Sequence, residues 1–372
     1  MAPLVPVSVG ATLAVARHIR KEPEKMKFIN FDKAASTPLH PAAKHAFLHV
    51  CQGNPSSAHA LGRTAKQELE QARQTIARCL NCEPDEVYFT SGATESCNWM
   101  MYCLTLNDHK VFVPTDVHHA VSEYPVPHKR TINDEFNMVA PLVNNETGQV
   151  YDITTIRGHC VHLLGLDATA AVGHLPVDFK ALGADYMAFG GHKFGAPKGI
   201  GALIVRRGAP LRPMVYGGAQ ERGMRGGTTP VPLAAAMAAV LEWHTNHMEE
   251  NMKATAEVRD TLLRYLKING VDYRWNIGLF NLNAPHILSL RFPGVYGASL
   301  AAALSDKGIM VSTGSACSSG SNRPSDVLRA AGLTSEEALS TIRFSFDENN
   351  TTDEARTVAG IIADLIPTLK QT

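Results

Sequence analysis

The sequence predicts an α/β fold, because strand-like and helix-like segments alternate from about residue 28 to the end of the chain. The clearest helix is Leu61–Leu80, in which apolar residues recur at helical spacing. The clearest strand is the apolar run Cys160–Leu166. With 372 residues, the chain is long enough for one large or two medium domains.

The composition argues against several classes of function. The chain has 35 basic and 35 acidic residues, so we expect no nucleic-acid partner, and the lack of a long apolar run predicts no membrane span. Seven scattered cysteines indicate thiols in a reducing compartment, and we expect the cytoplasm. Residues 1–25 fit a floppy extension or, alternatively, a transit peptide for mitochondria or another organelle.

The first half of the chain contains a turn that fits a phosphate site. Phe28–Asp32 predicts an entering strand and Glu86–Thr90 a second one. The small-residue turn Ser91–Glu95 then opens the helix Ser96–Leu104, whose free N–H groups could hold a phosphate. A simple capped helix fits the same pattern. The Cys79-x-x-Cys82 pair lacks partners at zinc spacing, so we interpret it as a helix end and expect no metal site.

Two strand ends in the middle of the chain are followed by titratable residues. Val111–Pro114 predicts a strand that precedes His118 and His119, which point in different directions; one of them could stack on a planar ligand. Asp167 follows the apolar strand Cys160–Leu166, where open α/β sheets bind ligands, although a helix N-cap explains it equally well.

The segment Asp185–Ile204 places a lysine in an unusual position. Lys193 lies between two predicted strands and among five glycines, which let the backbone approach a bulky group. Burial would lower the pKa of its amine, as a Schiff-base lysine requires. A solvated turn without chemistry is the alternative interpretation.

The second half begins with an irregular glycine-rich loop, Gly217–Thr229, whose two arginines favour a functional or interface role. Helices follow, and then a small-residue loop, Thr313–Ser321, surrounds Cys317. Such a loop suits a moving nucleophile, although a lone thiol often has no function. Alternation in Ser340–Phe346 places Arg343 opposite the apolar face of a strand.

Together these elements resemble the NifS/IscS-like cysteine desulfurases, pyridoxal-phosphate enzymes of the class V aminotransferase family. Five motifs occur in matching order between about Phe28 and Phe346: FTSGATES (Phe89–Ser96), VNNETG (Val143–Gly148), GHK-x4-KG (Gly191–Gly199), ERGMRGGT (Glu221–Thr228) and GSACSSG (Gly314–Gly320). Each string is modest alone, and their shared order makes coincidence a poor explanation.

The resemblance implies a homodimeric fold-type I enzyme with a mostly parallel seven-stranded sheet in its large domain and a smaller α+β domain. We expect an N-terminal extension at 1–25, the large domain at 26–247 and the small C-terminal domain at 248–372, with the first folded residues packing on the small domain. The implied reaction takes sulfur from L-cysteine, leaves L-alanine and a persulfide on Cys317, and passes sulfur to an acceptor protein for iron–sulfur clusters or thio-modification.

Roles for individual residues follow from motif position. Lys193 would bind pyridoxal phosphate covalently, Asp167 would pair with its ring nitrogen, and His118 would stack on the ring and move protons. Cys317 would attack the substrate sulfur, and Arg343 would hold the substrate carboxylate. The other implied contacts to cofactor or substrate come from Ala93, Thr94, Asn145 and His192, and from Thr228 of the partner subunit.

The chain also departs from the family pattern. Ala170 replaces a glutamine that contacts the ring hydroxyl, and Gly190 replaces a serine that helps to hold the phosphate. The region between His118 and Asn145 is shorter by about one strand-plus-helix unit, and the usual Gly-Arg is missing after Phe346. These losses predict weaker cofactor binding, by about 1.5–3 kcal/mol for each hydrogen bond to the charged phosphate.

Two alternatives fit the same residues. One is a related pyridoxal-phosphate lyase or transferase, such as a selenocysteine lyase. The other is a degenerate paralogue that binds a partner and has lost catalysis, which Ala170, Gly190 and the shortened region motivate. The retained lysine, aspartate, histidine, cysteine and arginine favour the desulfurase.

Overall fold

The computed structural model describes residues 28–50, 52–127, 135–159, 161–276, 282–313 and 323–370. The strands are β1 Ile29–Asn30, β2 Val87–Thr90, β3 Val111–Phe112, β4 Phe136–Pro141, β5 Val161–Asp167, β6 Tyr186–Gly190, β7 Gly201–Val205, β8 Arg274–Trp275, β9 Ile287–Arg291, β10 Ile309–Met310 and β11 Thr341–Ser345. The helices are α1 Pro41–His49, α2 Ala60–Cys79, α3 Ala93–Leu104, α4 His119–Ser122, α5 Ile153–Arg157, α6 Phe179–Leu182, α7 Val231–Asn246, α8 Met248–Ile268, α9 Gly297–Asp306, α10 Asp326–Ala330, α11 Ser335–Leu339 and α12 Thr352–Leu369. None of these helices is both long and apolar enough to cross a bilayer.

The larger sheet has six strands in the described residues, in the order β2-β7-β6-β5-β4-β3. Strands β3 to β6 are parallel to one another, whereas β7 is antiparallel to both of its neighbours. The predicted α/β fold with a mostly parallel sheet is therefore confirmed. The described residues between β3 and β4 contain the short helix α4 and no strand, so this sheet has six strands there instead of the predicted seven.

Side-chain alternation along the central strands builds a helix layer on each face of this sheet. In β6, Tyr186 and Ala188 pack in one apolar cluster with residues of α3, such as Trp99. Met187 and Phe189 point the other way, into a second cluster that contains residues of α2 and α7. Because both faces of the sheet are covered, β6 is fully buried. The ends of the strands are therefore the part of the sheet that can reach a ligand.

The C-terminal part of the chain has a core of its own. Strands β11, β9 and β8 form an antiparallel sheet, and helices α8 and α12 pack on it through residues such as Leu262 and Ile362. The N-terminal segment joins this core, because β1 pairs with β10 and Phe31 packs edge-on against Phe346. The domain boundaries at 25/26 and 247/248 stay predictions.

Several predicted local features are present as expected. Cys79 ends α2, and Cys79 and Cys82 are both free thiols, as the helix-end interpretation requires. Thr334 and Glu337 form a capping box at the start of α11. Helix α1 is absent from the sequence prediction, since its cap is His40, an uncommon capping residue. Pro41 at its first position was a start signal that the prediction did not use.

Candidate active site

A cavity of about 300 Å³ lies at the carboxyl ends of the parallel strands. This volume is at the lower end of the range that binds small molecules and cofactors. Eight of the ten predicted site residues line it, although they come from six separate parts of the chain: Ala93, Thr94, His118, Asn145, Asp167, His192, Lys193 and Arg343. Of the other two, Thr228 is exposed and is not among the lining residues, and Cys317 lies outside the described residues.

Lys193 reaches the cavity from a tight turn between β6 and β7. Gly191 permits the turn, because a Cβ there would lie 2.8 Å from the Ala196 Cβ. The Lys193 Nζ donates hydrogen bonds to the backbone oxygens of Ala34, at 2.7 Å, and Ala35, at 3.2 Å. The amine is thereby held against the segment that follows β1.

Asp167 is the last residue of β5 and is nearly buried. Its Oδ1 accepts a hydrogen bond from the Thr169 N–H at 3.0 Å, so the turn after the strand fixes the carboxylate. Asp167 and Lys193 line the same cavity, as the cofactor hypothesis requires.

Cys97 on α3 also lines the cavity beside Asp167, and sequence reasoning missed it. Burial raises the pKa of the Cys97 thiol well above its ordinary value, and the neighbouring Asp167 raises it further. The thiol therefore stays protonated and acts as a hydrogen-bond donor to the carboxylate rather than as a nucleophile. Its helical spacing from Ala93 was the one available signal.

His118 has a defined tautomer. Its Nδ1 accepts a hydrogen bond from the Ala120 N–H at 3.0 Å and caps α4, so in the neutral ring the proton is on Nε2. Burial lowers the pKa of His118, with Asp167 opposing that effect. His118 is therefore a neutral imidazole that can both stack and exchange a proton near neutral pH.

The start of α3 forms the predicted phosphate end of the cavity. Ala93 and Thr94 are the first two residues of this helix, where backbone N–H groups and the helix dipole favour an anion. His192 lies beside them with a buried Nδ1 that has no hydrogen-bond partner among the described residues. Burial, aided by Lys193 and Lys198, lowers the pKa of His192 to about 4.

The structure explains why glycine stands at position 190. A Cβ on Gly190 would lie only 2.9 Å from the Ala93 nitrogen and 3.0 Å from its Cβ. Strand β6 therefore approaches α3 too closely for a serine in this backbone. The close approach of the two elements accounts for the absence of a side chain at position 190.

Arg343, from β11, also lines the cavity and is nearly buried. Its Nη2 donates to Asp32 Oδ1 at 2.9 Å and its Nη1 to the Asn145 backbone oxygen at 3.0 Å. Its Nε is buried and has no partner among the described residues. Asp32 is a residue that sequence reasoning missed, since it contacts Arg343 from a distant part of the chain.

A histidine pair occupies the side of the cavity near Ala170. His174 and His286 stack with ring centroids 4.2 Å apart and planes 12° apart, and burial lowers the pKa of each ring. His286 Nε2 donates to the Ala170 oxygen at 2.9 Å, and its Nδ1 has no partner in the part of the chain that the structure describes. Two imidazoles therefore lie beside the position where the family has glutamine.

The Gly217–Thr229 loop does not line the cavity, but ion pairs and a hydrogen bond hold it beside the start of α3. Arg225 forms an ion pair with Glu95 at 2.9 Å. Glu221 forms a buried pair with Arg73 at 2.9 Å and also accepts from the Phe89 N–H. These contacts leave Thr228 exposed at the surface of the chain.

Buried polar atoms that lack hydrogen-bond partners in the described part of the chain make the cavity suitable for pyridoxal phosphate. Buried polar atoms normally have hydrogen-bond partners, yet Thr169 Oγ1, His192 Nδ1 and Arg343 Nε have none among the described residues. All three residues line the cavity, so the unsatisfied atoms surround one space. A planar ligand with an anionic group at one end and a carboxylate-bearing substrate at the other would satisfy them.

The family profile described as "Aminotransferase class-V" matches residues 29–129 and 127–358. This chain belongs to the class-V aminotransferase family. The predicted family and the predicted pyridoxal-phosphate cofactor are thereby confirmed.

Known members of the class-V aminotransferase family resemble the chain over nearly its whole length. Two proteins named "Cysteine desulfurase IscS" are similar to it: that of Methanosarcina thermophila is 31% identical over 92% of this chain and 93% of its own, and that of Klebsiella pneumoniae (strain 342) is 35% identical over 92% and 93%. Among solved structures, a "NIFS-like protein" superposes with a TM-score of 0.82 at 28% identity, covering 92% of this chain and 100% of its own. A NifS-like protein from Rickettsia africae gives 0.80 at 26% identity, with 92% and 99% covered.

Proposed function

We propose that this chain is a pyridoxal-phosphate-dependent cysteine desulfurase, which takes sulfur from L-cysteine and leaves L-alanine. The observation that carries the proposal is the shared cavity, in which an amine, a carboxylate, a neutral imidazole and a guanidinium face one space. A transferase that has lost its chemistry seldom keeps all of these groups. The names of the relatives at 31% and 35% identity support the same activity.

The residues divide between the cofactor and the substrate. Lys193 would hold pyridoxal phosphate, Asp167 would face its ring nitrogen, and Ala93, Thr94 and His192 would hold its phosphate. When bound, the cofactor supplies an electron sink for the substrate carbon. Arg343 would bind the substrate carboxylate through its free Nε, with Asn145 beside it.

His118 and Lys193 would move the protons. The Nε2–H of neutral His118 is a donor, and its depressed pKa lets the ring release a proton again near neutral pH. The Lys193 amine, which lines the same cavity, would take up the proton from the substrate carbon. The Asp167 carboxylate would hold the proton on the ring nitrogen of the cofactor.

Cys317 would receive the sulfur. Its thiolate attacks the substrate sulfur, a sulfur–sulfur bond forms, and the carbon–sulfur bond breaks with its electron pair left on carbon, which takes up a proton to give alanine. The described cysteines are poor candidates for this step, since burial raises the pKa of Cys79, Cys82, Cys97 and Cys103. A nucleophile from the small-residue loop fits better.

The finer assignments belong to the same proposal. We infer a homodimer in which Thr228 of the partner subunit completes the phosphate site, because in this chain Thr228 is exposed and outside the cavity. An acceptor or scaffold protein would take the persulfide sulfur for iron–sulfur clusters or thio-modification. A reducing compartment, with the cytoplasm first, fits the free thiols.

The deciding experiment is peptide mass spectrometry after treatment of the purified protein with L-cysteine. We expect one added sulfur on the peptide that contains Cys317, alanine release, and neither in Cys317→Ser. Cys82→Ser is the matched control and should behave as wild type. Alanine release that survives Cys317→Ser would point instead to a lyase of the selenocysteine type. If the protein with added pyridoxal phosphate shows no visible absorption band that depends on Lys193, the proposed enzyme activity is refuted.

A further inference from the structure

Three metal-ligating side chains meet at the amino-terminal edge of the larger sheet, away from the cavity. His109 lies two residues before β3, Glu135 directly before β4, and His162 is the second residue of β5. The register pairs Val111 with Asn137 and Phe136 with Val161, so the three side chains stand at nearly the same level on adjacent strands.

The distances fit a metal ion. One ring nitrogen of each histidine and a carboxylate oxygen of Glu135 all lie within 4.8 Å of one another, and His162 Nδ1 is 3.5 Å from Glu135 Oε2. Zinc bonds of about 2.0–2.2 Å in tetrahedral geometry place ligand atoms about 3.3–3.6 Å apart. Among the described residues, no other group of three histidine, cysteine or acidic side chains meets the same distance.

The backbone already orients His109. Its Nδ1 lies 3.3 Å from the Glu135 backbone oxygen, and because a carbonyl only accepts, Nδ1 carries the hydrogen and Nε2 keeps a lone pair. Metal-binding histidines commonly donate their second nitrogen in this way. Asn107 Oδ1 accepts from the His109 N–H and from Asn137 Nδ2, which fastens the turn to β4.

Metal binding would require one movement. The rings of His109 and His162 are stacked, with centroids 4.1 Å apart and planes 20° apart, and a metal ion must lie in the plane of each imidazole that binds it. One ring therefore has to turn about its Cβ–Cγ bond. His162 can do so, since its side chain is 42% exposed, and Glu135 at 50% exposure can follow.

We propose that His109, Glu135 and His162 form a site for a divalent transition-metal ion. Two imidazoles, one carboxylate and water match zinc best. The ion would join the ends of β3, β4 and β5 at the edge of the sheet opposite to the cavity, so its role is structural and independent of the proposed desulfurase chemistry.

Isothermal titration calorimetry with zinc chloride tests the site. The protein is the chelator-treated holoenzyme of the Cys317→Ser variant, which lacks a thiol that could compete for zinc. We expect one zinc ion per chain and a higher melting temperature with zinc. His109→Ala, His162→Ala and Glu135→Gln should each weaken zinc affinity at least about tenfold. His159→Ala, which removes an exposed histidine three residues from His162, should leave the affinity unchanged.

Circular dichroism of each variant without metal separates a lost site from a lost fold. Failure of the parent protein to bind one zinc ion saturably would overturn the proposal. Zinc affinity that is the same in His109→Ala and His162→Ala as in the parent would overturn it as well, because the ion would then bind elsewhere.

Discussion

Replacing Arg343 by lysine tests the proposed substrate contact most directly. The Arg343 side chain is 4% exposed, and its Nη1 and Nη2 donate to Asn145 and Asp32. Its Nε is buried without a partner among the described residues and is therefore a donor available to a substrate carboxylate. Lysine keeps the positive charge but has no planar fork, so it cannot keep these contacts and bind the carboxylate as well.

The size of the effect follows from the lost hydrogen bond. A hydrogen bond to a charged group is worth about 1.5–3 kcal/mol, and each 1.36 kcal/mol is a tenfold change. The KM for L-cysteine should therefore rise roughly 10- to 150-fold in Arg343→Lys, whereas turnover at saturation should change much less.

Alanine release at varied L-cysteine concentration measures this effect. Cysteamine is the comparison substrate that lacks a carboxylate; because it would leave ethylamine, its turnover is followed as sulfide release in the presence of a thiol reductant. Arg343→Lys should lower the preference for L-cysteine over cysteamine by the same factor. Arg291→Lys is the matched control, since Arg291 lies on the neighbouring strand β9 and pairs with Glu337 at 3.1 Å. An unchanged KM with a normal cofactor spectrum, or an equal change in Arg291→Lys, would refute the role given to Arg343.

Three further outcomes are expected. Lys33 and Asp347 form a buried pair at 2.5 Å, so Lys33→Met should lower the free energy of unfolding by about 3–5 kcal/mol in urea denaturation, because it leaves a buried charge unpaired. Adding Asp347→Leu should recover most of this stability. An equal loss of stability in the single and the double variant would contradict the prediction. Burial and neighbouring His174 lower the pKa of His244 from 6.5 to about 3, so the unfolded chain binds the proton first and the free energy of unfolding falls as pH drops below 6.5. In His244→Asn, this fall in the free energy of unfolding should be smaller by at most about 1.4 kcal/mol per pH unit. The same pH dependence in wild type and variant would argue against a buried neutral ring. Asp167→Asn should keep the visible cofactor band while kcat falls about 10²–10³-fold, and an unaltered kcat would exclude a role for the carboxylate.

Local signals predicted much of the architecture. Helix α2, the strand β5 that ends at Asp167, and the capping box at Thr334 all follow from spacing or from neighbouring residues in sequence. The order of the five motifs predicted the family, and eight of the ten site residues that it implies line one cavity. Helix α2, strand β5 and the capping box were predictable because each depends on residues close together in the chain, whereas the site residues followed from the resemblance to a known family.

The contacts between distant segments were decided by the tertiary structure alone. Asp32 meets Arg343, and His174 stacks on His286, because β1, β9 and β11 bring separate parts of the chain to one cavity. The need for glycine at 190 arises from the close approach of β6 to α3. The sequence determined which chemical groups the protein has and their order; their distances depend on how the strands pair and pack, which no local pattern specifies.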